Sequence, residues 1–170
     1  NDMEDQGSCG SCWTFSTAAA AASAYAIETG ELYILSKQQL VDCDYRCWGC
    51  EGGLQNYASM HFAESGVILE SDYPYEGIDA TCRKDNYDKV FYLSGSGYIN
   101  VGSSKQRFKE ALRKQPINIS FNVEGLDYYY YRSGILTGDN CTDGFYDLNH
   151  TMLAVGFGID NGTEYIIVRN

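Results

Sequence analysis

The sequence predicts an α+β protein, and three observations predict it. Helical signals fill the first half of the 170 residues. Short strand-like runs fill the last third. A Gly/Ser-rich stretch, "LSGSG" from Leu93, lies between them and places a seam near Tyr98. Helices followed by strands, without βαβ alternation, indicate segregated layers. We therefore expect a mainly helical lobe over 1–98 and a strand-rich lobe over 99–170.

The elements follow in order. After Ser11 an Ala-rich run extends from Cys12 to Thr29 and meets Gly30, a residue suited to the left-handed C-terminal position. The run is apolar on nearly every face, which predicts a buried central helix. "SKQQLVDC" opens with Ser36 and Gln39 in capping-box spacing. "LQNYASMHFAESG" reads as a third helix ending at Gly66. "SSKQRFKEALRKQP" reads as a fourth, capped near Ser103 and stopped by Pro116. "INISFNV", "HTMLAVGFG" and "EYIIVR" are strand-like, with a turn signal at Asp160–Gly162.

Composition narrows the function. The net charge is −11 and the 12 basic residues are scattered, so no nucleic-acid partner is expected, since neutralising phosphates needs clustered Lys and Arg. No apolar run reaches the roughly 18 residues of a membrane span, and "STAAAAASAYAI" is too short and broken by Ser and Tyr. Acidity favours solubility at neutral pH. The 15 tyrosines suit a core, a cleft wall or an interface. The chain opens on Asn1 with no signal peptide and is read as processed or partial. The seven cysteines point to an oxidising route, and their odd number leaves at least one unpaired within the chain. Sequons at Asn118, Asn140, Asn149 and Asn161 are compatible with secretion.

The thiols of "QGSCGSCWTFS" admit several chemistries. Cys9, Cys12, Cys47 and Cys50 form two C-x-x-C pairs, as a zinc site needs. The long helical spacer argues against it. A redox pair would follow a strand, and none precedes Cys9. Disulfides alone fail on parity, though some bridges are expected. A nucleophile explains most. Ser11 is a plausible cap, which puts Cys12 in the first turn, where free N–H groups and the helix dipole favour a thiolate. The thiolate also needs an imidazole. His61 sits mid-helix and reads as a structural histidine, satisfied or exposed. His150 opens a strand in the other lobe and can face Cys12 across a cleft.

The motifs then show a resemblance. "QGSCGSCW" matches C-G-[SA]-C-[WY], and "LVDCD", "WGCEGG", "DYPYEG", "NHTMLAVGFG" and "EYIIVRN" follow in order. The sequence resembles the papain-like cysteine proteases, of the plant papain and cathepsin L type, from Gln6 to Asn170. The expected spacing from Cys to His and Asn is about 130–150 residues; His150 fits and Asn170 lies slightly beyond. The resemblance implies the two-lobed papain-like fold, with a central helix in the helical lobe, a barrel-like strand lobe and a cleft between. It implies that Cys12 and His150 form a thiolate–imidazolium pair, that Asn170 orients His150, and that Gln6 and the Cys12 backbone N–H form the oxyanion hole. Trp13 would pack beneath that helix. Bridges Cys9–Cys50 and Cys43–Cys82 are implied. Cys141 would pair beyond Asn170, and Cys47 has no counterpart, so it is free or unusually paired.

By the same resemblance, Gly52 and Gly53 would pair with an extended peptide through bare backbone. The pocket for the residue two before the cut would be lined by Leu54, Gln55, Ser120, Leu148 and Thr151, more polar than usual in the family. Trp48 would wall the cleft further along. Asn149 stands where Asp is frequent; a glycan on its sequon would plug the cleft, so none is expected there. No cofactor or metal is implied. The implied activity is endopeptidase, since no cleft-blocking His-containing insertion is seen. The alternative is a catalytically silent papain-fold protein. Implied partners are an extended polypeptide and a pro-segment or cystatin-like inhibitor, with the enzyme itself a monomer, made as a zymogen and secreted or held in a lysosome or vacuole. Family members continue with Ser-Trp-Gly, so a longer natural protein is expected.

Overall fold

The computed structural model describes residues 4–94, 104–124, 126–137, 142, 144 and 147–170. The expected seam near Tyr98, Cys141 and the Asn140 sequon lie outside them.

The long Ala-rich run forms α1, Cys12–Thr29. Gly30 ends it at φ +81°, donating its N–H to Ala26. Only a glycine takes that conformation without cost. Ser11 precedes the helix, but its side chain makes no cap. The hydroxyl instead meets Tyr75 Oη at 2.5 Å, a partner brought from far along the chain. The burial of α1 concentrates in Trp13, Thr14, Ser16, Thr17, Ala18, Ala21 and Ala22, while its last turn is exposed. The helix is thus central at its N-terminal end only.

α2, Lys37–Cys43, is buried throughout. Ser36 caps it, accepting from the Gln39 N–H at 2.9 Å. The reciprocal half of the capping box is missing. The Gln39 amide donates to Gly66 O at 2.7 Å and accepts from Ile68 N–H at 3.0 Å, ties that satisfy buried backbone. Buried Lys37 places its Nζ between Glu4, at 2.5 Å, and Glu70, at 3.2 Å.

α3 spans Gln55–Ser65. Trp13, Leu35, Leu40, Ala58, Phe62 and Val67 form the main core between these helices. His61 of α3 is neither exposed nor satisfied. It is buried, and its Nε2 lacks a partner. Burial pushes its pKa down to about 4, because a charged imidazole there would lose its water. α4, Lys105–Leu112, starts one residue later than expected, with Ser104 as the cap accepting from Arg107 N–H at 3.3 Å.

The strand signals yield β1, Ile117–Phe121, β2, His150–Asp160, and β3, Thr163–Arg169. The short helix α5, Leu126–Tyr129, lies between β1 and β2. The strands form an antiparallel sheet in the order β1-β2-β3. Phe121 faces His150, Ser120 faces Thr151 and Leu153 faces Arg169. Asn161 and Gly162 both have positive φ, 47° and 84°, the two-residue turn that "DNG" signals. α1 packs against α2, α3, β1 and β2, and Ser16 in its N-terminal half meets Thr151 at the start of β2.

Candidate active site

Cys12 is the first residue of α1, and its position is fixed before the helix begins. Cys9 is bonded to Cys50, and Gly10 N–H donates to Cys50 O at 2.8 Å. A Cβ on Gly10 would stand 2.6 Å from that oxygen, so the approach requires glycine. Trp13 is fully buried and donates from Nε1 to Gly49 O at 3.1 Å. A Cβ on Gly53 would press into its ring at 2.5 Å. The tryptophan therefore packs the helix onto the glycine-rich segment.

The structure brings Cys12 and His150 together. Burial alone would push the Cys12 thiol up, but hydrogen bonds from His150 and from the side chain and backbone of Thr151 outweigh it and leave the pKa below the ordinary thiol value. The bond to Cys12 pushes the His150 imidazole up; burial opposes this, and Asn170 adds to it. Each shift runs in the direction that favours the charged form of its group. His150 Nε2 lies 2.8 Å from Asn170 Oδ1, so Nδ1 is the ring nitrogen left for the sulfur. Asn170 follows β3, and the β2–β3 hairpin carries it back beside His150.

Gln6 donates from Nε2 to Cys9 O at 2.9 Å, and its own carbonyl accepts from Tyr75 Oη at 2.8 Å. A cavity of about 540 Å³ is lined by Gln6, Cys12, Tyr128, His150, Thr151 and Asn170, among others. Leu54, Gln55, Ser120, Leu148, Gly52, Gly53 and Trp48 are not in its lining. Gln55 Nε2 donates to Ser120 Oγ at 2.7 Å, joining α3 to β1. Thr151, opposite Ser120, meets Ser16 Oγ at 3.1 Å. Leu54 and Leu148 are half-buried, and Trp48 is 65% exposed. Asn149 turns its side chain to the backbone, accepting from Val123 N–H at 3.0 Å.

Sequence reasoning missed the aromatic surroundings of His150. Phe121, Tyr128 and the imidazole form an edge-to-face triangle, with centroids 5.9–6.2 Å apart. The tyrosine run Tyr128–Tyr131 was the available signal. Tyr75 was missed as a site neighbour although "DYPYEG" was on view.

The second bridge is Cys43–Cys82. With Cys9 and Cys50 in a disulfide, the four-thiolate zinc arrangement cannot form. Cys47 is a free, half-buried thiol whose pKa burial and Asp44 push up to about 11. Such a thiol is held in its protonated form at neutral pH.

The family model "Papain family cysteine protease" matches residues 1–170. The chain belongs to that family. It is 42% identical over 171 residues to the senescence-specific cysteine protease of Arabidopsis thaliana, covering 99% of this chain and 48% of that protein. It is 41% identical over 173 residues to a cysteine proteinase of Brassica napus, covering 100% and 51%. The chain thus spans about half the length of the curated relatives it matches. Bromelain from Ananas comosus, solved with the inhibitor E64, superposes with a TM-score of 0.88 at 33% identity, covering 100% of this chain and 77% of that one. The proform of the ragweed pollen protease Amb a 11 gives 0.90 at 35%, covering 100% and 46%. The papain-like α+β fold is shared with these proteases.

Proposed function

We propose that this chain carries the catalytic centre of a cysteine endopeptidase, with Cys12 as nucleophile, His150 as acid and base, Asn170 as orienter of His150, and Gln6 as oxyanion donor. The observation that carries the reading is the hydrogen-bonded series Cys12–His150–Asn170, with the thiol pKa lowered and the imidazole pKa raised. The Cys12 thiolate attacks the peptide carbonyl carbon. The oxyanion that forms is held by the Gln6 side-chain NH2 and the Cys12 backbone N–H. Each such donor is worth about 3–4 kcal/mol of barrier. The imidazolium gives its proton to the leaving nitrogen, the C–N bond breaks, and a thioester remains. His150 then takes a proton from water, the hydroxide attacks the thioester, the C–S bond breaks, and the charged pair is restored.

The substrate is an extended polypeptide lying along Gly52 and Gly53, with the side chain two before the cut directed to Leu54, Gln55, Ser120, Leu148 and Thr151. Residues 1–98 and 99–170 act as two lobes facing across the cleft. The Cys9–Cys50 and Cys43–Cys82 bridges favour an oxidising route, and hence secretion or a vacuole. Two similar solved structures are proforms, which supports synthesis with an inhibitory pro-segment. Titration with a thiol-directed epoxide such as E64, alongside a fluorogenic peptide library, tests the reading. One covalent equivalent on Cys12 with abolition of cleavage is expected. Absence of labelling and cleavage would favour a silent papain-fold protein instead.

A further inference from the structure

"DYPYEG" entered the resemblance as a marker and was given no task. Its second tyrosine sits at the candidate site. We propose that Tyr75 is a positioning residue for the oxyanion donors, locking Gln6 and the start of α1 into one register. The inference rests on the proposed role of Gln6.

The hydrogen-bond directions follow from counting protons. Tyr75 Oη donates its single hydrogen to Gln6 O at 2.8 Å. The Ser11 hydroxyl, 2.5 Å away, must then donate to Tyr75 Oη. Its other acceptor, Cys9 O at 3.4 Å, is the weaker choice. The relay runs from Ser11 through Tyr75 to Gln6, and such chains polarise each bond in turn. Gln6 closes the loop from its other end by donating Nε2 to Cys9 O at 2.9 Å. One amide hydrogen of Gln6 stays available for an oxyanion.

Both proposed oxyanion donors adjoin this loop. Gln6 is held at its backbone carbonyl and at its side chain. Ser11 immediately precedes Cys12, whose backbone N–H is the second donor. The ring of Tyr75 is itself fixed. Phe15 of α1 packs edge-to-face against it at 4.9 Å and 77°, and Tyr75 N–H donates to Glu70 at 2.8 Å. The segment around Gln6 is otherwise exposed, with Glu4, Asp5 and Gly7 open to solvent. Among the described residues, its further ties include Glu4 to Lys37 and Gly7 N–H to Asp5 Oδ1. Without the phenol, the Gln6 carbonyl loses its partner and the side chain gains freedom.

The test uses the full chain with Tyr75→Phe, Gln6→Ala and the double variant. Phenylalanine keeps the packing on Phe15, and melting temperature and NMR dispersion report the fold. For Tyr75→Phe we expect kcat to fall about tenfold, as loss of one such bond permits, with KM within about twofold and both limbs of the pH profile in place. Gln6→Ala should lower kcat by about 10²–10³, and the double variant should lose clearly less than the product of the two single losses, because the phenol acts largely through Gln6. Independently of activity, the side-chain amide resonances of Gln6 should shift toward those of a free glutamine in Tyr75→Phe. Multiplying losses, or unmoved Gln6 resonances, overturn the inference. An undiminished kcat in Gln6→Ala removes the oxyanion assignment, and the resonances alone then decide whether Tyr75 holds Gln6.

Discussion

His150 Nε2 and Asn170 Oδ1 stand 2.8 Å apart, although Asn170 sits one residue past a strand and His150 opens another. The hairpin turned by Asn161 and Gly162 makes them neighbours. In the proposed function, the Asn170 oxygen orients the ring so that its other nitrogen faces Cys12, and it adds no charge to the pair.

Asn170→Ala should therefore act through His150. Hydrogen bonds to charged groups are worth about 1.5–3 kcal/mol, so kcat/KM is expected to fall about ten- to a hundredfold. Asn170 also helps raise the His150 pKa. Its loss lowers that pKa, and the alkaline limb of the pH–rate profile should move to lower pH. An unmoved limb would show that Asn170 does not act on the imidazole.

A second expectation concerns selectivity. The Gln55–Ser120 bond puts polar groups beside the backbone that would receive substrate. Gln55→Leu with Ser120→Val makes that seam apolar without changing its bulk greatly. Peptides with a large apolar side chain two before the cut should gain about tenfold in kcat/KM over polar ones, the scale of a modest change in an apolar pocket. An unchanged ranking in a peptide library would remove these two residues from specificity.

The bridges separate stability from activity. Cys9–Cys50 spans 41 residues and Cys43–Cys82 spans 39, so loop entropy assigns each about 4 kcal/mol. Cys43→Ala with Cys82→Ala should lower the melting temperature while each folded molecule still binds one inhibitor equivalent. Cys9→Ala with Cys50→Ala should lower the melting temperature and also slow labelling of Cys12, because that bridge fixes the start of α1. Equal labelling rates in the two pairs would contradict this.

His61 gives a pH dependence with a definite sign. Its pKa is lowered from 6.5 to about 4 by burial. The unfolded chain takes up the proton first, so His61 leaves stability untouched above about pH 6.5. Between 6.5 and 4 it reduces stability, by about 3 kcal/mol in full. His61→Gln should flatten the fall in denaturation free energy over that window. Parallel curves for the two proteins would show that His61 does not titrate there.

Local signals in the sequence carried much of the fold. Gly30 ended α1 where a left-handed residue was needed, and "DNG" marked the β2–β3 turn. The approach of Cys12 to His150 was legible because a helix start and a strand start restrict where a side chain goes. The misses share one cause, a partner distant in sequence. Ser11 looked like a cap but met Tyr75. Gln39 looked like half a capping box but served Gly66 and Ile68. Tyr128 reached the imidazole only through the packing of α5 on β1. His61 was judged by its place on a helix, whereas the core around α3 decided its burial.

The proposed activity depends on ionisation of Cys12 by His150. The most direct measurement is the rate of Cys12 alkylation by iodoacetamide against pH, localised by mass spectrometry, in the natural chain and in His150→Gln. Reaction should set in well below the ordinary thiol pKa of about 8.5 and move up toward that value when His150 is replaced. Cys47 should label only at far higher pH. Titration of Cys12 near the ordinary value in both proteins would contradict the account.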